Sequence, residues 1–314
     1  MSRARLDFAQ ARRAPGRALT GVLGGLLVGA ALAGCGAKAH GSGAAGKSRP
    51  ATVDSALAHP LRVVATAFPL AQLVAYVGGA DVKVTDLAPA GVQPEGLTPS
   101  AAQRKELASA QLVVEVGAGY QPKVEAAAAS RRHLALLPAV TKKAGSYEFW
   151  LDPYLWSSAA GKVADALSAV SPAGKRQFEN GARDFESLAS SISSDYYSSL
   201  SSCPLREFVT ADDAFGRMAS AFSLVDVAVS STGVKSALAT IAQYSIPGVF
   251  SEQGVPSGQL LQVAKADHLE AKSLDPMELA PAPGTKYQTY FDVMEANLHA
   301  LEGPLECDTS ASYY

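Results

Sequence analysis

Short apolar runs that alternate with helical patterns constrain the fold of this chain more than any other feature of its sequence. The candidate strands are residues 62–65, 82–87, 112–116, 133–137, 207–210, 225–230, 248–251 and 268–274. Helical patterns stand between most of these runs. Strands that alternate with helices predict parallel sheets that are covered by helices on both faces.

The middle of the chain has a different pattern. Residues 153–170 and 172–200 read as two long helices rich in Ala and Ser, with no candidate strand between them. The sequence therefore predicts an α/β protein of two lobes, each a parallel-sheet α/β sandwich, joined by a long linking helix. The expected boundaries are 61–152 for the N-terminal lobe, 153–171 for the linking helix and 172–314 for the C-terminal lobe. A ligand should bind in the cleft between such lobes, at the carboxyl ends of the strands.

The first 35 residues have the pattern of an export signal. Five arginines precede an uncharged apolar run, 18–34, which is short for a membrane span. The run ends in Leu-Ala-Gly-Cys at residues 32–35, which resembles the lipobox of bacterial lipoproteins, where the cysteine thiol receives a diacylglycerol. The sequence thus predicts a lipoprotein signal peptide over 1–35 with a lipid on Cys35. The alternative is a plain secretory signal in which Cys35 is incidental.

Residues 36–60 are rich in Gly, Ala and Ser. Such a stretch cannot bury a core, so it predicts a flexible tether. The tether would let the folded lobes stand off the cell membrane on its extracytoplasmic side.

Two cysteines, Cys203 and Cys307, lie beyond the signal segment. Export to an oxidising compartment favours a disulfide between them, with two buried thiols as the alternative. A zinc site at these positions is not expected, because no second Cys or His is paired with either residue.

Several motifs of the common enzyme classes do not occur in the sequence. The chain has no GxSxG, no HExxH and no CxxC, and its five histidines are scattered without ligand spacing. The formal net charge of −2 implies no basic face, so nucleic acid is not an expected partner. These observations favour a binding protein over an enzyme.

Carboxylates stand in four loops next to the predicted strands and the linking helix. Glu95 follows the second strand, Glu148 precedes the linking helix, Asp212 follows the fifth strand and Asp275 follows the last. Four acids that face one cleft would form a site for a hard cation. The alternative for any one of them is helix capping or solvation in a loop.

Several motifs carry a resemblance to a known family when they are taken in order. They are Val-Val-Ala-Thr-Ala-Phe-Pro-Leu at 63–70, the segment 91–100, Trp-Leu-Asp-Pro at 150–153, the segment 210–216 and Leu-Asp-Pro at 274–276. From Val63 to Cys307 the chain resembles the zinc/manganese solute-binding proteins of ABC importers. In that family these segments are the opening strand and turn, the first ligand loop, the start of the linking helix, and the third and fourth ligand loops.

The ligand positions implied by the resemblance are unusually acidic. Glu95 and Glu148 stand where the family normally has histidine, Asp212 stands where zinc members have His and manganese members have Glu, and Asp275 is of the usual type. Carboxylates suit manganese, whereas zinc prefers imidazole or thiolate. The resemblance therefore implies a divalent ion, manganese before zinc, held by these four acids. It also implies a Cys203–Cys307 disulfide, as in some members.

The function that the resemblance implies is that of a metal receptor. The chain would be a monomeric, lipid-anchored extracytoplasmic protein that hands its ion to an ABC permease driven by an ATPase. The alternative is a non-transporting relative with a degenerate cleft, which acts as an accessory or structural lipoprotein.

Overall fold

The computed structural model of the protein describes residues 57–266, 268–282 and 289–307. The predicted signal peptide, the lipid site at Cys35 and all but the last few residues of the predicted tether lie outside the described residues. The sequence-based predictions for these segments therefore stay predictions.

The N-terminal lobe is a four-stranded parallel sheet with helices on both faces. Its strands are β1 Leu61–Ala65, β2 Val82–Asp86, β3 Leu112–Glu115 and β4 His133–Ala135, and its helices are α1 Phe68–Gly78, α2 Ala101–Ser109, α3 Pro122–Ala128 and α4 Leu136–Val140. The strand order is β2-β1-β3-β4. Successive side chains of β1 point to opposite faces, so Val63 packs in the core that contains α1, and Val64 packs with Leu107 of α2 and Val124 of α3.

Two long helices follow this lobe, α5 Pro153–Val170 and α6 Lys175–Ser201. Along α6 the buried residues Phe178, Ala182, Phe185 and Ala189 recur at spacings of three and four, which places them on one face of the helix. Pro153 begins α5, and Pro172 begins the short 3-10 turn 172–174 that precedes α6; in a first turn the missing N–H of proline is not needed.

The C-terminal lobe repeats the topology of the first. Its strands are β5 Glu207–Thr210, β6 Val225–Ala228, β7 Gly248–Glu252 and β8 Glu270–Leu274, and its helices are α7 Gly216–Ala221, α8 Val229–Thr232, α9 Val234–Tyr244, α10 Gly258–Ala266 and α11 Tyr290–Glu302. The strand order is β6-β5-β7-β8, and all pairs are parallel. Phe208 and Phe250 face the central core, while Val209 and Val249 face a second core with Ile241.

The helix that links the lobes is α6, one helix later than the 153–171 segment to which the sequence assigned the link. Helix α6 packs against α1 of the N-terminal lobe and α11 of the C-terminal lobe, whereas α5 packs mainly on α1, α4 and α6. Gly181 of α6 lies so close to the Val77 carbonyl of α1 that no Cβ would fit. The sequence pattern located both helices, but it could not tell which of them spans the lobes, because both bury one apolar face.

A continuous aromatic core fills the space between these helices. Trp156 of α5, Phe185 of α6 and Tyr290 of α11 contact one another, with ring centroids 5.9–6.3 Å apart. All three side chains are buried. Because they come from three helices that serve both lobes, this core holds the lobes in one hydrophobic cluster.

Within the described residues, the eight predicted strands are present, and two predicted segments end in a helix: 225–230, where α8 begins at Val229, and 133–137. The strand expected over 133–137 ends at Ala135, and α4 begins at Leu136. Pro138 explains the change, since proline cannot donate to a sheet ladder but is tolerated in the first turn of a helix. The expectation of a two-lobed parallel α/β fold is confirmed.

Cys203 and Cys307 form a disulfide, which joins the end of α6 to the segment after α11. The expected pairing is therefore present in the structure. None of the helices in the described ranges combines the length and the apolar composition that crossing a membrane requires.

Candidate functional site

Carboxyl groups from both lobes interact in one region beside the carboxyl ends of the strands. Glu95 of the N-terminal lobe interacts electrostatically with Glu278, Asp213 and Asp212 of the C-terminal lobe. Glu148 is hydrogen-bonded to Glu278, and Glu252 to Asp212. We call this set the six-acid group: Glu95, Glu148, Asp212, Asp213, Glu252 and Glu278.

Glu148 and Glu278 form a carboxyl pair that crosses between the lobes. Both residues are buried, with 5% and 6% of their surface exposed. Burial raises the pKa of Glu148 well above its usual value of 4.5, and the hydrogen bond with Glu278 raises it further. Two carboxyl groups in such contact cannot both be ionised cheaply, so the pair holds a proton between them.

Tyr120 fixes the other side of Glu278. Its hydroxyl donates to Glu278 Oε1 at 3.2 Å. Burial raises the pKa of Tyr120 above its usual value of 10, and the negative charge of the Glu278–Glu148 pair adds to this. Tyr120 therefore stays protonated and acts as a donor. Its ring is held by Tyr147 and Trp150, with centroids at 5.0 and 6.5 Å.

Asp212 and Glu252 form a second carboxyl pair within the C-terminal lobe. Glu252 is the last residue of β7, and Asp212 lies two residues beyond the end of β5. Burial raises the pKa of Glu252 to about 9, helped by its hydrogen bond to Asp212 and by the nearby negative charges. The Asp212 loop is fixed locally, because Asp212 Oδ1 accepts a hydrogen bond from the Ala214 amide at 3.1 Å and Thr210 Oγ1 donates to the Asp212 carbonyl at 2.7 Å.

The loop that carries Glu95 is anchored to the end of β1. The buried Gln121 amide donates to the carbonyl oxygens of Thr66 and Pro94, at 2.9 and 2.8 Å. Glu95 itself is exposed. Partial burial raises its pKa, and Glu278 is the first of three acids that add to the shift. The anchored backbone thus holds the exposed Glu95 near the acids of the C-terminal lobe.

Arg217 of α7 is a buried cation next to this region. Its pKa is lowered by burial, while the charges of Glu148 and Asp152 oppose that shift. The side chain donates to the carbonyl oxygens of Ser146 and Lys143, in the loop that leads to Glu148.

Three of the four predicted ligands, Glu95, Glu148 and Asp212, belong to the six-acid group, and Asp275 does not. Asp275 Oδ1 accepts a hydrogen bond from the Met277 amide at 2.7 Å, as aspartate does in a turn. Its backbone is bonded to Asn297 at 2.8 Å in both directions. Met277 has a φ of 61°, so the chain turns sharply, and it is Glu278 that reaches the other acids.

Sequence reasoning missed Glu252, Glu278 and Arg217. Glu252 had a usable signal, because it directly follows a predicted parallel strand, at the edge where α/β proteins bind ligands. Glu278 and Arg217 had none, because their partners lie in the other lobe.

The described residues contain no three His, Cys, Asp or Glu side chains arranged closely enough to hold a metal ion. Four of the six acids are instead engaged in two hydrogen-bonded pairs, Glu148 with Glu278 and Glu252 with Asp212. The region is thus a set of acids from both lobes, most of which are hydrogen-bonded to one another.

Comparison with known proteins decides the family. The model of the family described as ZnuA, zinc-uptake complex component A periplasmic, matches residues 63–303. The chain belongs to this family. The expected kinship with the metal-type solute-binding proteins of ABC importers is thereby confirmed, and such proteins are not enzymes.

Individual relatives are distant. The zinc-binding protein AdcA of Streptococcus pyogenes serotype M6 is 23% identical over 284 residues, which cover 77% of this chain and 55% of AdcA. The zinc-binding lipoprotein AdcA of Streptococcus pneumoniae strain R6 is 25% identical over 276 residues, with the same coverage of 77% and 55%. The chain therefore spans about half the length of the curated relatives it matches.

A solved structure shares the fold. The periplasmic zinc-binding protein TroA from Treponema pallidum superposes with a TM-score of 0.71 and 22% identity, over 78% of this chain and 99% of TroA. At this level of identity the match establishes the two-lobed architecture.

Proposed function

We propose that this protein is the extracytoplasmic metal receptor of an ABC importer, and that it binds a divalent cation with Glu95, Glu148, Asp212 and Glu278. In this proposal Glu278 replaces Asp275, the fourth ligand predicted from the sequence. The observation that carries the proposal is the direct carboxyl contact between Glu148 of one lobe and Glu278 of the other. A cation bound there would be held by both lobes, as expected for a ligand in such a cleft.

The donor chemistry favours a hard ion. The proposed ligands are all carboxylates, and no histidine is among them. Oxygen ligands suit manganese, calcium and magnesium, whereas zinc prefers imidazole or thiolate. We therefore propose manganese before zinc, although the streptococcal relatives are named as zinc-binding proteins.

Protons take the place of the cation in the ligand-free protein. Two unit charges 4 Å apart repel by about 4 kcal/mol at an effective dielectric of 20, so unprotonated acids packed together would be costly. Shared protons on Glu148 and Glu252 relieve this repulsion. A cation would displace them, and the paired side chains would turn from each other toward the ion. Affinity should therefore rise with pH.

The remaining parts of the proposal follow from the family. We propose that the receptor is a monomer, that a lipid on Cys35 holds it at the outer face of the cell membrane, and that it delivers its ion to a permease driven by an ATPase. The name of the pneumococcal relative, a lipoprotein, supports the anchor.

Calorimetric titration of chelator-treated protein with manganese, zinc, calcium and magnesium at neutral pH tests this proposal. We expect manganese to bind and Glu148→Gln to weaken it, while Glu106→Gln, an exposed acid on α2, serves as the control. No binding of any ion by the wild type would refute the transport function and leave a degenerate cleft. Tight zinc binding that survives Glu148→Gln and Glu278→Gln would place the site elsewhere.

A further inference from the structure

Arg217 connects the two lobes through the backbone of a loop. It lies on α7 of the C-terminal lobe and is only 7% exposed. Its Nε donates to the carbonyl oxygen of Ser146, and its Nη2 donates to that of Lys143 at 3.4 Å. Gly145 lies between these acceptors, and a Cβ there would come within 3.3 Å of the guanidinium carbon. The guanidinium therefore lies against the loop backbone itself.

The loop held by Arg217 carries Glu148. Between the end of α4 at Val140 and the short turn at 149–151 the chain has no helix or strand. Its course must therefore be set by other contacts, and several come from α7. Besides Arg217, Ser220 of α7 accepts a hydrogen bond from Lys143 Nζ at 3.4 Å. The position of Glu148, two residues after Ser146, depends on these contacts.

The charge of Arg217 lies near two acids of the same segment. Glu148 and Asp152, at the two ends of the turn 149–151, interact with the guanidinium. Asp152 in turn caps α5 by accepting hydrogen bonds from the amides of Tyr154 and Leu155, at 2.9 and 3.2 Å. A buried cation is costly unless it is paired and hydrogen-bonded, and the planar guanidinium can serve several acceptors at once. Arg217 has such acceptors in the carbonyl oxygens of Ser146 and Lys143.

We propose that Arg217 is a positioning residue of the cation site, a clamp that fixes the Glu148 loop across the lobes so that Glu148 meets Glu278. This inference rests on the proposed function. Two effects of Arg217 on a bound cation oppose each other, since its charge repels the ion while its hydrogen bonds orient a ligand. We infer that orientation is the larger effect, because the guanidinium is held by two loop carbonyl oxygens and Asp152 offsets part of its charge.

The test uses the mature chain with Arg217→Met and Arg217→Lys. Loss of a residue that orients a metal ligand typically costs 10–100-fold in affinity. We expect manganese affinity to fall by about this factor in Arg217→Met. It should recover in part in Arg217→Lys, which keeps the charge but has no planar fork. Arg206→Met is the matched control, because Arg206 also donates to a backbone carbonyl, that of Leu200 at 3.0 Å, but within the C-terminal lobe.

Amide hydrogen exchange of residues 142–149 in the metal-free protein gives a second readout. We expect faster exchange there in Arg217→Met and unchanged exchange in Arg206→Met. Tighter or unchanged manganese binding in Arg217→Met would overturn the inference while the proposed function stands. Absence of binding by the wild type would refute the proposed function, and the exchange rates would then still decide whether the clamp exists, since unchanged rates in Arg217→Met refute it independently.

Discussion

Glu115 and Glu252 end the equivalent strands β3 and β7 of two sheets of the same topology, yet they differ in register and in surroundings. Each is the last residue of the strand that pairs with the first strand of its sheet, and each is almost fully buried. Burial raises the pKa of both. Oε1 of Glu115 lies 3.9 Å from Nε2 of His133 on the edge strand β4, and this contact opposes the rise in the pKa of Glu115. Glu252 is hydrogen-bonded to a second acid, Asp212.

The register explains the difference: Glu115 lies one residue beyond the partner of the last residue of β1, and Glu252 lies two residues beyond the partner of the last residue of β5, so the two side chains point to opposite faces. Asp212 lies two residues beyond the end of β5, and the equivalent position beyond β1 is Ala67. The parallel topology thus brings a buried carboxyl to the ligand-binding edge of both sheets. Glu252 meets Asp212 of the neighbouring loop, whereas Glu115 meets His133 of the edge strand. The N-terminal lobe lacks an equivalent of Asp212 and supplies its acids, Glu95 and Glu148, from loops instead.

Covalent closure is another difference between the lobes, and its removal should have the largest effect. The Cys203–Cys307 disulfide spans 104 residues, nearly all of the C-terminal lobe. Disulfides typically stabilise by about 2–4 kcal/mol. We expect Cys203→Ser with Cys307→Ser to lower the melting temperature under non-reducing conditions, and hydrogen exchange to rise first in β5–β8. Two free thiols titrated in the denatured, unreduced wild type would contradict this prediction.

The contribution of the C-terminal lobe to binding is tested by Glu278 and Asp275, which lie three residues apart. We expect Glu278→Ala to weaken manganese binding by more than about 100-fold, beyond the range typical of supporting residues. Asp275→Ala should cost less than about tenfold, since its carboxylate is used in a turn. Calorimetry on both variants measures this. If Asp275→Ala proved the more damaging, the original ligand set from the sequence would be right.

The two glutamates at the strand ends should differ in the pH dependence that they cause. A released proton changes affinity by about tenfold per pH unit. We expect Glu252→Gln to lower the slope of the logarithm of manganese affinity against pH by about one, because one proton fewer is released. Glu115→Gln should leave this slope unchanged. Equal slopes in both variants and the wild type would show that Glu252 gives up no proton.

The raised pKa of Glu252 also predicts how the stability of the metal-free protein varies with pH. Burial raises the pKa of Glu252 from its usual 4.5 to about 9 in the folded state, so the folded state holds a proton that the unfolded state has lost. The contribution of Glu252 to the free energy of unfolding should be complete below pH 4.5 and be lost as pH rises toward about 9. Denaturant titrations of wild type and Glu252→Gln should show a weaker fall in the variant.

Much of the fold could be predicted from the sequence because buried parallel strands read as short apolar runs. Glu95, Glu148 and Asp212 could be found because each stands in a loop next to a predicted element. Glu278 could not, because the left-handed backbone at Met277 redirects the chain after the expected ligand Asp275. Arg217 could not either, since its acceptor at Ser146 is a backbone atom 71 residues away, which no side-chain pattern reveals.

Trp150 gives the protein its own optical probe. Its indole N–H donates to the Pro276 carbonyl at 2.7 Å, and its ring lies beside Tyr120, which holds Glu278. A ligand that reorients Glu278 therefore changes the surroundings of an indole through two contacts. The chain has only two tryptophans, so Trp156→Phe leaves Trp150 as a single fluorophore. Its emission would follow ligand capture in real time, without any attached dye.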